Sequence, residues 1–101
     1  AEPDIYTVRL GFRAGDHDTP GRRVCDIKLQ GRLVSKDFDL ARRAAGTGRA
    51  VIQEFPDVAI DGDLLLEFVP REPAPDPTQA PLVNFVEILR QDELALARQD
   101  G

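Results

Sequence analysis

Residues 24–29 read Val24, Cys25, Asp26, Ile27, Lys28 and Leu29, and their alternation narrows what the chain can become. Cys25, Ile27 and Leu29 fall on one side and Asp26, Lys28 and then Gln30 on the other, so one face is buried and the other wetted. Gly31 opens a tight turn into a second run at 33–38, and Pro20 with Gly21 closes the loop from an earlier run at 5–12. That earlier run sets Tyr6, Val8, Leu10 and Phe12 against Thr7, Arg9 and Gly11, which suits an antiparallel strand with one face on a core. Three strands are expected to meet around this point.

At 101 residues the chain has room for one domain and one core. A hydrophobic fraction of 42% and a charged fraction of 31% are those of a globular protein, and no apolar run approaches the roughly 20 residues of a membrane span. A formal net charge of -5 disfavours a nucleic-acid surface, which needs clustered cations to displace counterions from phosphates. Cys25, the one cysteine, has no partner for an internal disulfide, and its inward strand position reads as a small buried hydrophobe.

Between 13 and 22 the chain is polar and turn-rich, too long for a tight hairpin, and is expected to be exposed and mobile. Residues 40–48 are rich in Ala and Arg and end in Gly46, Thr47 and Gly48, which fits either one helical turn or a crossing loop with a glycine terminator. From 50 to 60 the pattern reads as a strand broken near Pro56, at an edge or a corner. Asp61, Gly62 and Asp63 predict a hairpin turn into a strand at 64–69 with Leu64, Leu66 and Phe68 on one face. Five prolines between 70 and 81 mark a stiff exposed loop, and a last strand is predicted at 82–89, where Asn84 points inward with Val86 and Ile88. The expected architecture is an all-β antiparallel sandwich of jelly-roll type over residues 4–92, with a charged tail at 93–101.

No catalytic constellation emerges: His17 lies in a loop, Cys25 has no basic neighbour in sequence, and no glycine loop opens a helix. Asp16, His17 and Asp18 read as a solvated loop, as a contact for sugar hydroxyls or a partner, or, least favoured, as metal ligands, since consecutive residues rarely converge on one ion. Asp57, Asp61 and Asp63 read as a structural turn. Arg42, Arg43 and Arg49 form a basic patch, either a solvated face or a contact for an acidic partner. Neither an enzyme activity, a cofactor nor a metal is expected.

In order along the chain, Tyr6, Val8, Arg9, Leu10 and Phe12; Arg23, Cys25, Asp26, Ile27 and Gly31; Asp37, Phe38 and Asp39; Asp61, Gly62, Leu64, Leu66 and Phe68; and Val83, Asn84, Val86, Glu87 and Ile88 resemble five successive segments of malectin-type domains. The resemblance implies a carbohydrate-binding β-sandwich, here a C-terminal portion or a shortened form. It implies an extracytoplasmic setting, a carbohydrate or a partner protein as ligand, and no catalysis. The family's sugar-stacking aromatics lie in the loop after the first of these strands. Here that loop reads Arg13, Ala14, Gly15, Asp16, His17 and Asp18, without an aromatic, so Arg13, Asp16, His17 and Asp18 are the residues expected to touch a sugar or a partner. The alternative is an accessory subunit that docks on another protein through the same sandwich.

Overall fold

The computed structural model describes residues 4–15, 18–45, 48–77 and 79–91. Six strands and one short helix follow in the order β1 (Asp4–Arg13), β2 (Val24–Leu29), β3 (Arg32–Asp39), α1 (Leu40–Ala44), β4 (Ala50–Ile60), β5 (Leu66–Pro70) and β6 (Phe85–Arg90). They form two antiparallel three-stranded sheets, β4-β1-β6 and β3-β2-β5, a β-sandwich as the alternation predicts.

The predicted faces of β1 and β2 are the observed ones. Val8, Leu10 and Phe12 of β1 meet Cys25, Ile27 and Leu29 of β2 in one core, with Tyr6 packed at its margin. Aromatic rings bridge the two sheets. Phe12 lies 4.8 Å from Phe38 and 6.3 Å from Phe68 between ring centroids, tilted against the first and edge-on to the second, arrangements that add to the area they bury.

Which strands pair is less visible in the sequence. β1 does not join β2 and β3: it is the centre of the opposite sheet, because residues 14–23 carry the chain over one end of the sandwich. β2 and β3 do form the predicted hairpin, with Leu29 opposite Arg32 and positive φ at both Gln30 (53°) and Gly31 (76°), the conformation that matches strand twist in a two-residue turn. Asp61, Gly62 and Asp63 are not a hairpin turn. The strands on either side lie in different sheets, so the segment is a crossing, and β5 starts at Leu66 because the backbone of Leu65 is bonded to Gln30.

Pro56 does not break its strand. β4 runs through it by a bulge in which Pro56 and Asp57 stand against Thr7, with Asp57 at φ 62°. β4 is an edge strand, as expected of a proline that has no amide to donate. The helical alternative holds for residues 40–44: Asp39 caps the N-terminus through its side chain, and Ala45 at φ 54°, rather than a glycine, makes the left-handed C-terminal turn. β6 starts at Phe85, not 82, and Leu82 and Val83 pack against the core before it. Asn84 is exposed rather than inward, yet its side chain does tie backbone, accepting from Arg13 N at 2.8 Å. The charged tail predicted at 93–101 lies outside the described residues.

Candidate functional site

Strand direction sorts the connections by length. The long ones, 14–23, 40–49 and 71–84, all lie at one end of the sandwich, while the turn at Gln30 and Gly31 and the crossing at 61–65 lie at the other. Side-chain and backbone bonds weld the long ones together. Ala14 N donates to Arg49 O (3.3 Å), Gly48 N to Ala14 O (2.7 Å), and Asn84 N to Gly11 O (2.7 Å).

The first of these loops is exposed at Arg13, Gly15 and residues 19–22, as expected, but turns inward at Ala14 and Asp18. Ala14 is 1% and Asp18 8% exposed. The Asp18 carboxylate accepts from Gly15 N and from Arg23 Nε, both at 2.7 Å. Arg23 then reaches the proline-rich loop, donating through Nη1 to Pro77 O at 3.1 Å and to Ala80 O. One buried ion pair thus ties two loops, and the proline-rich stretch, exposed over residues 71–74 as expected, is fastened at Pro77 and Ala80. A planar guanidinium with several donors in a fixed fork suits such a junction.

Of the residues singled out in sequence, Arg13 is exposed, with its Nε donating to Gly48 O at 3.0 Å. Asp18 faces inward to Arg23, and Asp16 and His17 lie outside the described residues. Among the described residues no group of three or more His, Cys, Asp or Glu side chains is placed to hold a metal ion. Burial pushes the Cys25 thiol up to about 11, with Asp26 adding to the shift, which leaves it protonated and unreactive at neutral pH.

Two features of this end escape a reading of local pattern. The ring of Phe85 lies over Gly11 on the outer face of its sheet and is 46% exposed, an aromatic surface next to Asn84 and hence to Arg13. Beside the adjoining β2–β3–β5 sheet, Gly21, Asp37, Asp39, Arg42 and Arg71 line an open cleft of about 480 Å³. Glycine at 11 opposite Phe85 is the one sequence signal for the first; the second joins residues up to 50 positions apart and has none.

Arginines are concentrated toward one end of the sandwich. Arg13, Arg22, Arg23, Arg42, Arg43, Arg49 and Arg71, seven of the 13 Lys and Arg residues, stand at the long-loop end. Six described carboxylates, Asp18, Asp26, Asp37, Asp39, Glu72 and Asp76, share it. Asp4, Asp57, Asp61 and Asp63 gather at the opposite end, where Arg90 pairs with Asp4.

The two-sheet sandwich gathers its three long connections at one end. The chain belongs to the malectin domain family, whose pattern it matches over residues 2–72. Similar relatives are probable leucine-rich-repeat receptor-like serine/threonine-protein kinases of Arabidopsis thaliana. One is 42% identical over 45 residues, covering 45% of this chain and 4% of that protein. A second is 40% identical over 62 residues (60% of this chain, 6% of that protein) and a third 37% over 65 residues (58% and 6%). The chain therefore spans only a small part of the length of these relatives. No solved structure matches it. No helix among the described residues is long and apolar enough to cross a membrane.

Proposed function

We propose that the chain is a non-catalytic carbohydrate-binding module of a larger extracytoplasmic protein or assembly, with the loop holding Arg13, Asp16, His17 and Asp18 at its ligand end. The observation that carries this reading is membership of the malectin family combined with the collection of the three long connections at one end. In this reading Asp18 positions the loop through Arg23, Arg13 offers donors at the surface, and Phe85 supplies the apolar face on which the C–H side of a sugar ring packs. The receptor-like kinase names of the relatives support a place outside the cytoplasm. Their kinase activity is not carried over, since this chain matches the malectin pattern and spans a few per cent of each. Calorimetric titration against a panel of neutral and acidic oligosaccharides tests the reading: saturable binding to at least one is expected, and no binding across the panel contradicts it.

A second reading, docking on a partner protein, is favoured by Val86 and Ile88. They lie opposite Leu10 and Val8 on the core-facing side of the edge strand β6, yet are 42% and 44% exposed. Apolar surface at an unpaired strand edge invites cover by another chain. Strictly monomeric behaviour in light scattering together with cooperative melting would count against it.

A further inference from the structure

We propose that the cleft lined by Asp37, Arg42 and Arg71 binds the uronate unit of an acidic saccharide. The proposal rests on the carbohydrate-binding reading above and names the class of sugar. Arg42 and Arg71 are exposed, and neither guanidinium makes a hydrogen bond or ion pair with a described residue. Elsewhere at this end Arg13, Arg22 and Arg23 are already engaged, with Gly48, Asp76 and Asp18 respectively, and Arg43 and Arg49 do not line the cleft. Two unengaged guanidinium forks lining one cleft suit a carboxylate, which each can grip through paired N–H donors.

The carboxylates of the cleft decide which anion fits. Asp39 is occupied: its Oδ2 accepts from Gly21 N at 2.7 Å and its Oδ1 from Arg42 N at 3.4 Å. Asp37 is not. It stands in a bulge of β3 at φ 52°, its own N–H bonded to Asp26 Oδ1 at 2.9 Å, and its side chain has no partner among the described residues. Bulges re-aim side chains, and this one adds an unpaired acceptor to the cleft. A phosphate dianion would meet Asp37 as a like charge. A sugar acid carries one negative charge for the arginines and hydroxyl donors for Asp37, and so satisfies all three. The cleft's volume of about 480 Å³ is of the size that holds a small ligand.

The test is titration of the intact chain with trimers of galacturonate and glucuronate and with a neutral glucose trimer, repeated on Arg42→Gln, Arg71→Gln and Asp37→Asn. The exposed positions of the three side chains make folded variants the expectation, checked by equal melting temperatures. At least one acidic trimer is expected to bind roughly tenfold or more tightly than the neutral one, each arginine variant to remove about that factor, and added salt to weaken the wild type. Neutral binding equal to or tighter than acidic, unchanged in the arginine variants, overturns the proposal and leaves the carbohydrate module standing. Binding of none of the trimers overturns the proposal, and with the wider panel also silent it overturns the module reading too.

Discussion

Asp18 and Arg23 are 5% and 12% exposed at the side chain, so neither charge has bulk water to turn to if the other is removed. Asp18→Ala is expected to cost about 3–5 kcal/mol, read as a lowered urea midpoint, because it strands Arg23 and frees two loops at once. A loss below roughly 0.5 kcal/mol, the scale of a surface pair, would show the clamp to be ornamental. Cys25 gives a second residue-scale expectation. Its thiol should resist iodoacetamide in the folded protein at pH 8 and react in urea. With the folded thiol raised to about 11 from an ordinary value of 9.0, the native state holds the proton over a range where the unfolded state has released it. The contribution of this group is therefore complete below about pH 9 and lost as pH rises toward 11. Melting temperature should fall less steeply over that range in Cys25→Ala than in the parent, and identical slopes would contradict the assignment. The burial of Cys25 was legible from alternation alone. The Asp18–Arg23 pair was not, since a polar loop gives no sign that one of its carboxylates turns inward.

Among the elements, β1 and β6 depend on a fit between a glycine and a ring. A Cβ at residue 11 would overlap the ring of Phe85. Gly11→Ala should therefore displace the ring and destabilise by about 1–3 kcal/mol, and Phe85→Ala in the same chain should recover most of that difference; equal costs in both backgrounds would refute the packing account. The β2–β3 hairpin shows how far local pattern reaches. Gly31 and the alternation of residues 24–29 disclose the turn and both faces. Nothing nearby discloses that Gln30 holds the far end together, because its side chain donates to Ala59 O and Asp63 O and accepts from Leu65 N, partners 29 to 35 positions away. Pro56 misled for a related reason: a proline forbids an amide donor, and only the pairing shows that a bulged edge strand has no need of one there.

For the whole molecule, period-two alternation states which side of a strand is wet but not which strand lies beside it. The core of Val8, Leu10, Phe12, Cys25, Ile27 and Leu29 was accordingly readable, whereas the division into β4-β1-β6 and β3-β2-β5 was not. The same limit applies to function: family segments could be recognised in order, while the placing of Asp37, Arg42 and Arg71 around one cleft, and the collection of arginines at the long-loop end, are products of topology. The measurement that tests the central claim most directly is a map of amide chemical-shift changes in the intact chain as a bound oligosaccharide is titrated in. Saturable shifts confined to Arg13, Gly15, Asp18, Asp37, Arg42, Arg71 and Phe85 are the expected result. Shifts centred instead on Gln30, Gly31 and residues 61–65, or none at all with every sugar tried, would contradict a carbohydrate site at the long-loop end.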